Sequence, residues 1–258
     1  MSAKPVLWHI AVSHYSEKAR WALDWKRIEH TLRAPPPGIH MGFALALTRG
    51  KEKTFPVLQI DDINVGDSAK IIATLDERRP DRPLIPADSG ERSRALALQA
   101  YFDEELGPYA RHVAMHAMRS DREAREAFVA TAMPDAVAGN AAVRRGGAAF
   151  AKVFFGARYK VGEDDAAARA REKVLAAYER LEAELAAGDG THLVGTEFTV
   201  ADLAAASLFV PVVAPPEGPD LPPPPAELGA FRDSVSERAG TRWVRETFAR
   251  YRRPSPTG

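Results

Sequence analysis

The chain contains no cysteine. That absence excludes disulfides, thiolate metal sites and a cysteine nucleophile, so any thiol chemistry must use a thiol brought by a ligand. Net charge is missing too. Over 258 residues, 35 Lys and Arg balance 35 Asp and Glu, which leaves no long-range field to draw in nucleic acid or an anionic membrane. Long apolar runs are also lacking. The most apolar helix candidate, Leu203 to Ala214, is too short to span a bilayer and contains Pro211. The opening MSAKPVLWHI carries no cleavable signal pattern. The expectation is a soluble, cytoplasmic protein of one large domain or two ordinary ones.

The first 80 residues alternate strand-like and helix-like pieces. Val6 to Val12 is an almost continuous apolar run, as expected of a strand buried on both faces. From Ser16 to Ile28 the period becomes helical. Tyr15, Ala19, Ala22 and Leu23 make one apolar stripe, and Trp21, Trp25 and Ile28 a second, which predicts a helix sandwiched between a sheet and another domain. Glu29 to Arg33 reads as a short edge strand, and His40 to Arg49 as a loop or loose helix. Pro56 to Ile60 and Ile63 to Val65 read as a hairpin turning at Asp61-Asp62, with the proline at a strand's first position. Asp67-Ser68 then opens a helix that stops before Pro80. The order is βαβ, a helix, then ββα.

Asp81 to Pro86 (DRPLIP) reads as a stiff linker, beyond which strand signals largely vanish. Asp88 and Glu91 have capping-box spacing, and the helix they open, through Ala95, Leu98, Phe102 and Leu106, should kink at Pro108. Residues 121–165 are Ala/Arg/Gly-rich and carry no clear pattern. Ala166 to Ala187 is a strong amphipathic helix ended by Gly188. Thr199 and Asp202 form a second capping box heading the apolar helix through Val213, a folding device and a poor catalytic candidate. Two further helices, near Ala226 to Glu237 and Thr241 to Arg252, follow the prolines of 215–225. The expected division is an α/β half, residues 1–82, and an all-α half, residues 88–258.

The junction SHYSEKAR, residues 13–20, is where chemistry is expected. Ser13 lies where the first strand meets the first helix, so its hydroxyl and neighbouring backbone N–H groups can converge on one anion. The plain alternative is a helix cap. Asp67-Ser68, at the mouth of another helix, offers partners to both halves of a zwitterion, and is equally an ordinary N-cap.

SHYSEKAR, Phe55-Pro56-Val57-Leu58 and Gly66-Asp67-Ser68, in this order and followed by the change to all-α sequence, resemble a soluble glutathione transferase over nearly the whole chain. The resemblance implies a thioredoxin-like domain followed by a helical domain, glutathione as co-substrate, and a homodimer. By that likeness Ser13 would be the catalytic residue, donating a hydrogen bond to the glutathione sulfur as in serine-type members, with Tyr15 as fallback. Val6 to Val12 holds no tyrosine for the tyrosine-type arrangement. Phe55-Pro56 would be cis and turn backbone groups toward the cysteinyl part. Ser68 would take the α-carboxylate and Asp67 the α-ammonium, although family members usually carry Glu or Gln at the Asp67 position. Lys53 and His40 could reach the glycine carboxylate.

His112 and His116 stand at i, i+4, the spacing of a metal pair, but HVAMH lacks the Glu of a zinc-protease motif and no third ligand follows, so no metal is expected. Together with Tyr15, Tyr109 and Met115 they are expected to line an inter-domain cleft holding a hydrophobic electrophile; a packed or exposed helix face is the alternative. The implied activity is conjugation of glutathione thiolate to that electrophile. The rivals are a glutathione-dependent isomerase of the zeta kind and a non-catalytic ligand-binding protein of the same fold.

Overall fold

A computed structural model describes residues 4–35, 39–133, 139–159 and 163–253. The first part contains β1 (Val6–Trp8), α1 (His14–Trp25), β2 (Thr31–Arg33), α2 (His40–Leu47), β3 (Val57–Ile60), β4 (Ile63–Gly66) and α3 (Ser68–Arg78). The strands form one mixed sheet in the order β2-β1-β3-β4. β1 pairs parallel with β2, with Leu7 opposite Leu32, and antiparallel with β3, with Leu7 opposite Leu58. The parallel pair needs a crossover, and α1 supplies it. This is the expected thioredoxin-like topology.

β1 is shorter than its apolar run. The His9 N–H still reaches the Arg33 carbonyl at 2.9 Å, but the chain then turns, and the Ile10 carbonyl accepts from the Ser13 N–H at 3.0 Å. The helix therefore starts two residues before the expected Ser16. Residues 40–47, read as loop or loose helix, form a regular helix.

Helix α1 is sandwiched as its two stripes predicted. One side packs on α3 and shares a buried core with Leu7, Leu58 and Ile60 of the sheet, and the other packs on α9 (Val200–Leu208) of the helical part. Trp21 is wholly buried, with ring centroids 5.6 Å from Phe198 and 4.4 Å from Phe248. Charges along α1 complete the junction. Arg252 reaches Glu17 at 2.5 Å and Asp24 at 2.7 Å, while the buried Lys26 ammonium meets Asp76 at 2.7 Å.

The second part consists of α4 (Ser89–Tyr101), a π-helical turn (Phe102–Leu106), α5 (Gly107–Ala117), α6 (Arg122–Ala132), α7 (Ala141–Tyr159), α8 (Asp164–Ala187), α9, α10 (Val210–Val213), α11 (Ala226–Ser234) and α12 (Ala239–Tyr251). The kink expected at Pro108 takes the form of that π turn. Proline has no N–H to give, and its ring crowds the carbonyl four residues back, so the wider turn absorbs the misfit. Both expected caps are occupied. Asp88 accepts from the Gly90 and Glu91 N–H groups, and Thr199 with Asp202 forms a complete capping box. The unpatterned stretch 121–165 supplies α6 and α7, which pack on each other, apart from positions 134–138 and 160–162, which lie outside the described residues. Among the described residues no helix is long and apolar enough to cross a membrane.

Candidate functional site

Ser13 is the N-cap of α1, with extended backbone at φ −82° and ψ 122°. Its Oγ accepts from the Ser16 N–H at 3.3 Å. That bond uses the oxygen and leaves the hydroxyl proton for an outside acceptor. The His14 and Tyr15 N–H groups belong to the first turn, where no intrahelical acceptor exists. Ser16 is turned inward: it is fully buried and accepts from the Ile10 N–H at 3.2 Å.

The second element comes from the loop before β3. Phe55-Pro56 is a cis peptide, and Phe55 is buried against Ala44 and Val57. The third is the β4–α3 junction. Asp67 sits at φ +73°, a left-handed conformation unusual for a residue with a side chain. Its Oδ1 caps α3, accepting from Ala69 N–H at 2.9 Å and Lys70 N–H at 3.1 Å. Ser68 beside it is buried.

Ser13, Phe55, Pro56, Asp67 and Ser68 line one cleft of about 790 Å³ that runs between the sheet part and the helices. Its volume is in the range of small-molecule sites. His40, Tyr15 and Met115 line it as well. Lys53 is exposed and is not part of the lining, and neither are Tyr109, His112 and His116. Tyr109 instead faces the Lys173 ammonium, 5.8 Å from its ring centre. The two histidine rings stack on each other, 6.2 Å apart, and His116 turns toward Glu227 at 3.7 Å and Asp164 at 3.8 Å. The expectation failed for these three because a helix's cleft-facing side is set by how it rolls against α8, which periodicity alone does not report. Among the described residues no cluster of three or more His, Asp or Glu side chains is placed to hold a metal.

Tyr15 lines the cleft with its hydroxyl already engaged, donating to the Asp103 carbonyl at 2.6 Å. Burial, reinforced by the Asp103 charge, pushes its pKa well above the usual phenol range. Its proton is therefore a poor one to offer a thiolate. His14 is buried with Nε2 3.0 Å from the Gly107 carbonyl. Burial first, and the Arg111 charge second, lower its pKa to about 3. The neutral ring must therefore carry its proton on Nε2, since a carbonyl only accepts. Gly107 lets α5 come this close: a Cβ there would collide with the Tyr15 hydroxyl. Lys18, fully buried, holds Asp103 at 2.6 Å. Burial lowers the lysine and raises the aspartate, and their mutual attraction opposes both shifts. We read the pair as ionised, because two such short contacts to one ammonium leave little gain from neutralisation. Burial also lowers the pKa of His40.

Several lining residues escaped sequence reasoning. Gln99, Asp103 and Glu104 come from the end of α4 and the π turn, Phe128 and Phe154 from α6 and α7, and Leu221 to Pro225 from the proline-rich stretch. The edge-on contact of the His40 and Phe154 rings, 5.8 Å apart, brings α7 against α2 at the cleft that both residues line. For the residues of α6, α7 and the proline-rich stretch the signal was the odd composition of 121–165 and 215–225; Gln99, Asp103 and Glu104 gave none.

The sequence matches two family descriptions: "Glutathione S-transferase, N-terminal domain" over residues 7–83, and "Glutathione S-transferase, C-terminal domain" over residues 164–233. No curated protein matches the chain at a significant level. Among solved structures, the chain is similar to the beta-etherase LigF from Sphingobium sp. strain SYK-6, at 19% identity and TM-score 0.59, covering 95% of this chain and 99% of that one. It is also similar to the theta class glutathione S-transferase from Xanthomonas axonopodis pv. citri with glutathione bound, at 19% identity and TM-score 0.53, covering 95% and 98%. A third is the glutathione transferase URE2P8 from Phanerochaete chrysosporium with oxidized glutathione, at 14% identity and TM-score 0.61, covering 99% and 92%. Identities this low speak to the fold alone, and the family rests on the two domain matches. With both of those domains in order along it, the chain belongs to the glutathione S-transferase family.

Proposed function

We propose that this protein is a glutathione transferase that adds the glutathione thiolate to a hydrophobic electrophile held in the cleft. The observation that carries the reading is the convergence of Ser13, Phe55-Pro56 and Asp67-Ser68, from three separate junctions, on one cleft whose far walls are apolar. Residues 1–82 would bind glutathione and residues 88–258 would shape the electrophile site, in a cytoplasmic homodimer.

Ser13 is the catalytic residue of this reading. Its hydroxyl would donate to the sulfur while its oxygen keeps the Ser16 N–H, so capping and activation are compatible. A free thiol has a pKa of about 8.5, and a helix N-terminus can lower a thiol's pKa by a unit or more. Ser68 would meet the α-carboxylate of the tripeptide. Asp67 would meet its α-ammonium with Oδ2, which has no protein partner among the described residues. His40 remains a candidate for the glycine carboxylate, and the exposed Lys53 a weaker one. Holding thiolate and electrophile side by side supplies the proximity part of the rate.

Mixing the protein with glutathione and, in separate reactions, an aryl halide and a cis-configured conjugated enone, then following free thiol and product mass, tests the reading. Transferase activity consumes glutathione one for one with product. Isomerised acceptor with glutathione unconsumed would favour an isomerase. Glutathione binding without turnover across a panel of electrophiles would favour a carrier.

A further inference from the structure

The cleft is also lined by an arginine that makes no ion pair among the described residues. Arg232, on α11, is half-buried and lines the cleft together with Leu228 of the same helix, Met118, Phe128, Val129 and Leu221. Its Nε and Nη2 both donate to one oxygen, the Pro211 carbonyl, at 3.2 and 2.8 Å. Those bonds occupy one edge of the guanidinium. The Nη1–Nη2 edge has no protein partner among the described residues, and no carboxylate among them lies within ion-pair distance.

Neighbouring arginines are arranged differently. Arg119 and Arg171 both bind Glu227. Arg125, which is buried, donates to the carbonyls of Met118 and Arg119 at 2.6 and 2.7 Å. The acids that line the cleft, Asp67, Asp103 and Glu104, belong to the start of α3 and to the π turn, and Asp103 is held by Lys18. Burial pulls the Arg232 pKa below its usual value, with no acid to offset it. A guanidinium placed against apolar walls without a counter-charge is costly. A carbonyl that locks one edge leaves the other pre-aimed, in the planar fork geometry that fits a carboxylate.

We propose that the acceptor taken by this cleft is an anion: an aromatic electrophile carrying a carboxylate, whose ring lies against the apolar walls and whose carboxylate pairs with the free edge of Arg232. This rests on reading the cleft as the electrophile site. The reaction itself is ordinary substitution. For a nitro-activated chloroarene, the thiol proton goes to water, the C–S bond forms with the negative charge held by the ring and its nitro groups, and the C–Cl bond then breaks as chloride leaves with its electron pair.

Equilibrium binding tests the proposal without any turnover. 3,5-Dinitrobenzoate and 1,3-dinitrobenzene share a ring and differ in the carboxylate; neither carries a halide, and the meta placement of the nitro groups leaves neither activated for displacement as nitrite. With the full chain and saturating glutathione, dinitrobenzoate should bind at least about tenfold more tightly, a difference of about 1.4 kcal/mol. Arg232→Met should bring that ratio close to one, and Arg232→Lys should keep part of it. Arg232→Gln retains a donor for the Pro211 carbonyl; should the Met variant fail to fold, the Gln variant gives the same reading. Failure of wild type to bind dinitrobenzoate, a wild-type ratio near one, or a ratio unchanged in the variants overturns the proposal and leaves Arg232 as a brace for α11. Failure of the transferase reading looks different: both probes and glutathione bind, with the tenfold ratio, yet neither chlorodinitrobenzoate nor chlorodinitrobenzene is turned over.

Discussion

Replacing Ser13 separates two jobs that one hydroxyl would perform. As a cap, its oxygen takes the Ser16 N–H at 3.3 Å; as an activator, its proton would go to the glutathione sulfur. Loss of an N-cap to alanine costs about 1 kcal/mol of stability, and loss to glycine only a few tenths. A hydrogen bond to a charged group contributes about 1.5–3 kcal/mol. At about 1.4 kcal/mol per pKa unit, removing it raises the bound thiol's pKa by about 1–2 units. Ser13→Gly should therefore fold nearly as stably as wild type, yet lose about 10–100-fold in kcat/KM at pH values below both thiol pKa values. The sign is fixed: the donor lowers the thiol pKa, so its loss moves the acid limb of the rate profile to higher pH, and the deficit shrinks as pH rises. Ser13→Ala should add a drop in Tm to the same kinetic loss. Ser13→Asp is the decisive control. It keeps a good cap at the positive end of α1 but sets a carboxylate against the thiolate, which raises the thiol pKa further. Stability should then rank Asp and Ser above Gly and Gly above Ala, while activity should rank Ser first and Asp last. Thiol titration by ultraviolet absorbance, thermal melts and pH–rate profiles measure all of it. A Ser13→Gly enzyme with wild-type rate and profile, or activity that follows Tm across the set, would refute the assignment and leave Ser13 as a cap.

Other outcomes follow from the packing around this site. Gly107→Ala drives a methyl into Tyr15, so urea unfolding should register a loss of about 1–3 kcal/mol, partly recovered when Tyr15 is replaced by a smaller residue. Lys18→Met leaves Asp103 buried without its partner and should cost about 3–5 kcal/mol. Adding Asp103→Leu should restore most of that, and a single-variant cost near zero would mean that the pair is weak. His14 has its folded pKa lowered to about 3 by burial, so the unfolded chain binds the proton first. Its contribution to stability is complete above its unfolded pKa of about 6.5 and declines toward pH 3. By pH 5 the loss should reach about 2 kcal/mol. His14→Gln, which can still donate to the Gly107 carbonyl, should flatten the fall in Tm between pH 7 and pH 5; an unchanged slope would show that other groups carry it.

Local signals were enough for much of the scaffold. The two apolar stripes of α1 point to its sandwiching between the sheet and the helical part, and the Thr199–Asp202 spacing points to a box that the structure closes. These are statements about neighbours three or four residues apart, where sequence spacing is spatial spacing. The apolar run before α1 outlasts the strand by four residues, because an apolar turn carries the same composition as a strand and differs only in its hydrogen bonds. Tyr109, His112 and His116 read from the sequence as cleft-lining, but α5 presents Tyr109 to Lys173 and His116 to Asp164 and Glu227.

By itself the sequence determined that any reactive thiol must come from outside, that a hydroxyl caps the first helix, and that a sheet half precedes a helical half. Each depends on composition or on short-range periodicity. Only the tertiary structure decided which residues share the cleft. Ser13, Asp103 and Arg232 lie far apart along the chain, and whether their side chains meet one ligand depends on how α5, α7 and α11 roll and stack. That is settled by the packing of the whole core, which no local stretch encodes.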